Sequence, residues 1–207
     1  MLKLIPCFLV CITLFSFGCE KSTTPPQSPT FYEIQGENGF VGELTGTDAF
    51  VSLMLGTEEA VVYVCNGSEN ISEWFSGKIS DPTSFDLSNL AGAKISVAYI
   101  KKQMEGTVTL SNQTTYAFTA KPNTNILGGI YKAMGDEVKA DSVQAGWILN
   151  SDAQERGSLK VRSVNQPVRA LPKANFTFNN KSYPVFRYRL TPSTPLGVPI
   201  PYPNTGK

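Results

Sequence analysis

Glu73 stands beside Trp74, and no other pair in the sequence comes closer to a chemical site. A neighbouring indole can desolvate a carboxyl group and raise its pKa, and it can stack on a sugar ring. The pair therefore suits acid–base work on carbohydrate, which needs a second carboxylate several Å away that only the tertiary fold can supply. A plainer reading puts Trp74 in the core and turns Glu73 to water. Trp147, in Gly146-Trp147-Ile148-Leu149, reads first as a buried strand residue.

The 207 residues include no histidine, which excludes Ser-His-Asp and Cys-His nucleophiles and histidine-ligated metal sites. Ser-x-x-Lys, Gly-x-Ser-x-Gly, Gly-x-Gly and Gly-Lys-Ser/Thr are all absent, so neither a lysine-activated serine nor a phosphate-cradling loop is encoded. Asn150-Ser151-Asp152-Ala153-Gln154-Glu155 carries oxygen donors at alternate positions. It lacks the central glycine of a calcium loop, and Val161 stands where the bidentate glutamate belongs, so it reads as a hairpin loop. These residues call for no metal and no cofactor. A catalytic role is left open, with a non-catalytic one favoured.

Charge is distributed unevenly. All 17 acidic residues lie at or before Glu155, while nine basic residues and no acid follow from Arg156 to Lys207, so the net charge of +1 is a cancellation. Lys160, Arg162, Arg187 and Arg189 are the candidate contacts of this basic region. Three readings apply to it: docking on the acidic body, an exposed patch for anionic lipid or envelope polysaccharide, or nucleic acid, the partner that fits an exported chain least.

Export is written at the start of the chain. Lys3 precedes an apolar run of about 14 residues, Leu4 to Phe17. That is short of the roughly 20 needed to span a bilayer and suits a signal peptide. Ser16-Phe17-Gly18-Cys19 resembles a lipobox, matching at Gly18 and Cys19 and departing at Ser16 and Phe17. Cys19 would then carry diacylglycerol and palmitate-type acyl chains as the mature N-terminus, with plain secretion as the alternative. Glu20 to Thr30, holding Pro25, Pro26 and Pro29, suits a spacer. These features place the protein at a bacterial cell envelope, anchored through Cys19 and facing the periplasm or the exterior. Cys7 and Cys11 fall in the leader, which leaves Cys65, at the end of Ala60-Val61-Val62-Tyr63-Val64, as a small buried hydrophobe.

The elements that must hold these residues are short strands. Val108, Leu110, Tyr116 and Phe118 alternate with polar residues about the break Ser111-Asn112-Gln113-Thr114, which predicts a hairpin with one apolar face. Similar runs cover 49–55, 60–65, 95–100, 129–133 and 143–149. Ile71, Trp74 and Phe75 fall at i, i+3 and i+4 after Ser68 and predict one short helix. The sum is an all-β fold, an antiparallel meander of about eight strands closed or nearly closed into a barrel, with a two-sheet sandwich as the alternative. The division is a leader over 1–18, the lipidated cysteine and spacer over 19–39, a β domain over 40–164, and a basic Pro-rich extension over 165–207. Within the extension a hairpin is expected over 174–190, with Pro184 marking an edge strand or bulge and Arg187 and Arg189 on a basic face. Asn-x-Ser/Thr triplets at Asn66, Asn70, Asn112, Asn175 and Asn180 read as turn residues.

The ordered blocks Gly46-Thr47-Asp48-Ala49-Phe50, Tyr63-Val64-Cys65-Asn66-Gly67, Glu73-Trp74-Phe75-Ser76-Gly77, Gly106-Thr107-Val108-Thr109-Leu110, Gly129-Ile130-Tyr131, Gly146-Trp147-Ile148 and Glu155-Arg156-Gly157 carry a resemblance. Over about residues 46–157 the chain resembles a family of uncharacterised secreted bacterial proteins and lipoproteins. The resemblance implies export and adds no catalytic residues. Together these readings predict an envelope lipoprotein acting as a surface-tethered binding or assembly module, with a carboxylate-dependent carbohydrate hydrolase as the alternative.

Overall fold

The computed structural model describes residues 38–56, 58–134, 143–161, 164–168, 175–188 and 200–201. Eight antiparallel strands come first: β1 (Phe40–Leu44), β2 (Phe50–Leu55), β3 (Glu59–Asn66), β4 (Ile71–Lys78), β5 (Ser84–Ser88), β6 (Lys94–Ile100), β7 (Gln103–Thr109) and β8 (Thr115–Pro122). Their hydrogen-bonded order is β4-β3-β2-β1-β8-β7-β6-β5, a nearly closed barrel. Pairing of β1 with β8 joins two four-stranded meanders, and the seam lies between β4 and β5. Side chains pointing inward at every second position fill the barrel, among them Phe40, Leu53, Val62, Phe75, Val97 and Phe118. The β7–β8 hairpin lies where alternation puts it: Val108 pairs with Tyr116, and Val108, Leu110 and Phe118 are buried.

The barrel is complete by Pro122, and a second sheet follows. It contains β9 (Gly129–Met134), β10 (Val143–Leu149), β11 (Glu155–Val161), β12 (Val164–Pro167), β13 (Asn175–Phe178), β14 (Lys181–Arg187) and β15 (Ile200–Pro201). Strand order is β12-β11-β10-β9-β14-β13, with β15 on β14, and the sheet curls into a half-barrel. One of its faces covers the outside of β1 to β4. Phe50, Met54, Val61, Tyr63 and Cys65, which point away from the barrel interior, pack with Ile130, Ile148 and Tyr188. The other face gathers Tyr131, Ala145, Trp147, Leu159 and Val185, and Phe176 of β13 meets Trp147 edge-on at 5.5 Å.

Two expectations are corrected. Ile71, Trp74 and Phe75 lie on strand β4, not on a helix; a single 3-10 turn, Gly67–Glu69, precedes them and is capped by Asn66 in place of Ser68. Ile71 and Phe75 face the barrel interior while Trp74 faces the second sheet, so a strand buried on both sides imitates helical spacing. Strand β14 is an edge only in part: Lys181 to Pro184 pair with β13 alone, while Phe186 and Arg187 pair with both β9 and β15. It pairs with β13 through Pro184 and then with β9 from Val185 to Arg187, so the residue lacking an N–H sits where the strand changes partners.

Two hairpin tips place two consecutive non-glycine residues in the left-handed region. Asn179-Asn180 adopts φ of 49° and 61°, which asparagine tolerates. Lys101-Lys102 adopts 50° and 68° between the paired residues Ile100 and Gln103, a two-residue turn normally given to Asn-Gly.

Candidate functional site

Glu73 lies on β4, on the interior side and near the end of the barrel where the β5–β6 and β7–β8 connections meet. It is 8% exposed. Its two carboxylate oxygens accept from Asn89 Nδ2 at 2.8 Å and from the Ser111 backbone N–H at 3.0 Å. Asn89 Nδ2 also reaches the Trp74 carbonyl, and Asn89 Oδ1 accepts from the N–H groups of Ala91 and Ala93. The carboxylate thus ties one lip of the seam to two connections beyond the other lip. Each of its oxygens is engaged in holding the fold.

Trp74 points the other way. Its ring stacks on Tyr63 with centroids 3.9 Å apart and planes 18° from parallel, and Tyr188 lies at 6.0 Å. Lys132 Nζ sits 4.8 Å from the Trp74 ring centroid, a cation–π contact. Gly146 of β10 permits this stack. A Cβ there would come within 2.6 Å of the Tyr63 ring and 2.7 Å of the Trp74 ring. Glu73 and Trp74 are therefore separated by the thickness of a strand, and the structure does not assemble them into one site.

The basic candidates also diverge. Arg187 is 4% exposed and donates from Nη2 to Asn38 Oδ1 at 2.7 Å and to the Gly128 carbonyl at 2.6 Å, with its guanidinium near the Tyr131 ring. It clamps the start of the barrel to the second sheet, and the basic outer face expected of it is corrected accordingly. Lys160, half-buried on β11, lies three strand positions from β14, about 14 Å by sheet spacing. Arg156 donates to the Asp48 carbonyl at 3.0 Å and covers the Phe50 ring. Cys19, Arg162 and Arg189 lie outside the described residues.

Cys65 is fully buried, its Sγ donating to the Arg156 carbonyl at 3.4 Å. Burial pushes its thiol well above the ordinary range and does the same to the Tyr63 phenol, whose hydroxyl lies 3.3 Å from Ser72 Oγ. A protonated, enclosed thiol is a poor nucleophile.

An open groove of about 580 Å3 runs between the outer wall of β1 and β8 and the β10–β11 loop. Glu43, Thr45, Thr119 and Lys121 line the barrel side, and Ser151 and Asp152 line the other. The loop is braced: Asn150 Oδ1 accepts from the N–H groups of Asp152 and Gln154, Asn125 Nδ2 donates to the Asn150 carbonyl, and Ser151 Oγ accepts from the Thr124 N–H. Residues 150–154 thus form a hairpin loop, and among the described residues no cluster of three or more potential metal-ligating side chains occurs. Sequence reasoning missed this groove. Alternation along β8 turns Thr119 and Lys121 outward, but nothing local says that a remote loop stands opposite them. Comparison with protein-family models, curated proteins and solved structures finds no match to the chain.

Proposed function

We propose that the protein is a lipid-anchored module of a bacterial envelope, held through Cys19, that binds a hydroxyl-rich envelope polymer in the groove beside β1 and β8 without chemically changing it. The groove is the observation that carries this reading. It is open, of ligand size, and lined by threonine hydroxyls, a serine, two carboxylates and an ammonium group. Support also comes from Glu73, whose oxygens are engaged in holding the seam, and from a barrel interior filled by its own side chains. One observation favours the hydrolase alternative: Glu43 and Asp152 both line the groove.

Thr119→Trp places a large ring in the groove from an exposed position and leaves the core untouched. The expected result is loss of binding to isolated envelope polysaccharide with the thermal midpoint unchanged, and no shortening of the polymer by the wild type. Chain cleavage that disappears in Glu43→Gln or Asp152→Asn would replace this reading with the hydrolase. For the anchor, Cys19→Ser is expected to move the protein from the detergent phase to the aqueous phase; retention in the detergent phase would refute lipidation.

A further inference from the structure

The barrel has two ends, and they differ. At one end lie the Lys101-Lys102 tip of the β6–β7 hairpin and the β8–β9 loop, with Ile100 41% and Ile126 78% exposed. Strands β7 and β8 are neighbours, with Met104 paired to Ala120, so the two connections stand side by side. The described chain begins at this same end. Asn38 Nδ2 donates to the Asn125 carbonyl at 3.0 Å, which puts the junction with the N-terminal segment next to Ile126. Only 18 residues separate Cys19 from Asn38, a reach of at most ~68 Å even if fully extended.

We infer that this end of the barrel is a membrane-contacting face, in which Lys101 and Lys102 meet the headgroups of an anionic bilayer while Ile100 and Ile126 enter its interface. For the nearness of a bilayer the inference rests on lipidation of Cys19. The tip itself supplies an independent argument. Two lysines occupy left-handed positions that asparagine and glycine hold with less strain, so the turn gives up backbone comfort and places two ammonium groups at an extremity. No acidic residue occurs from Lys94 to Met104 or from Gly106 to Met134, the stretches that build this side. Glu105, between those stretches on β7, is half-buried and accepts from Gln103 Nε2. The other carboxylates at this end, Glu58, Glu59 and Asp81, sit on or beside the β2–β3 and β4–β5 connections, and Asp152 on the groove loop. Aliphatic side chains flanked by lysines match the bilayer interface, where apolar insertion and attraction to anionic lipid act together.

The experiment uses the unlipidated Cys19→Ser protein, so that its outcome is independent of the anchor. It is mixed with vesicles of phosphatidylcholine alone and of phosphatidylcholine with phosphatidylglycerol. Binding is expected only to the vesicles containing phosphatidylglycerol, and Lys101→Asn/Lys102→Gly should weaken it about 25-fold, from a factor of about five per lysine. That double substitution favours the turn, so lost binding cannot be laid to misfolding. Leu90→Ser, at the other end, should leave binding unchanged. Equal binding by wild type and the double variant, no binding to phosphatidylglycerol vesicles, or binding only to soluble dextran sulfate would each overturn the inference. The lipidation reading would then still stand or fall on its own phase-partition result.

Discussion

The two walls of the barrel are built to different specifications. On the covered wall, β2 is buried at all six positions and β3 at seven of its eight, because the second sheet lies against their outer faces. On the open wall, β5 alternates strictly, with Phe85 and Leu87 inward and Ser84, Asp86 and Ser88 in water. The same interior is thus enclosed by one wall two layers thick and another a single layer thick. Apolar burial is the main favourable term in folding, so the covered wall carries more of the stability, and its outward side chains matter as much as its inward ones.

That difference can be broken most sharply at Tyr63. Its ring is fully buried on the outward side of β3 and stacked on Trp74. Tyr63→Ala should cost about 4 kcal/mol and lower the melting temperature by roughly 10 °C. Thr107→Ala, at an exposed position on the open wall, should stay within about 0.5 kcal/mol. Comparable losses in paired thermal melts would mean that the second sheet adds nothing to the wall it covers.

The same asymmetry governs what could be read from sequence. The β7–β8 hairpin was legible because one face is wet and the period of two survives. The runs at Ala49–Leu55, broken only by Ser52, and at Ala60–Cys65 were legible as nearly continuous apolar strings, and both strands are buried on both faces. Strand β4 was misread because its two buried faces put Ile71, Trp74 and Phe75 at a spacing that a helix would share. Strand β5 offers only Phe85 and Leu87, too short a pattern to stand out. The candidate site was less legible than the fold. Glu73 finds its partners on connections 16 and 38 residues away, and the basic alternation around Arg187 gave no sign that Asn38 and Gly128 would receive its guanidinium.

Glu73 marks the limit of both walls, because the seam between β4 and β5 is where the covered wall meets the open one. Both of its oxygens accept hydrogen bonds, whereas an amide offers one acceptor and one donor. Glu73→Gln therefore turns an NH2 group toward either Ser111 N–H or Asn89 Nδ2 and leaves a buried donor unmatched, a loss of about 2 kcal/mol in chemical denaturation. Amide exchange should quicken at Ser111 and through β4 and β5, and stay as slow as before in β2 and β3. Uniform quickening across the barrel would show that the carboxylate supports the whole core and not the seam.

The smallest expected effect tests whether the covered wall is sealed. Cys65 lies in it between two layers, and burial holds its thiol, ordinarily at 9.0, well above that value. The sign follows from which state releases the proton. Below about pH 9 the thiol is protonated folded and unfolded, and stability does not depend on it. Above that, the unfolded thiol ionises while the buried one stays protonated, so stability falls with rising pH. The wild type should lose ~1 kcal/mol between about pH 9 and pH 10 from this group, and Cys65→Ala should flatten the slope over that interval. The Tyr63 phenol, ordinarily at 10.0 and also raised by burial, adds its own decline at higher pH in both proteins. Parallel slopes for wild type and Cys65→Ala would mean that water reaches the thiol, and the contrast between a two-layer and a one-layer wall would then fail at its centre.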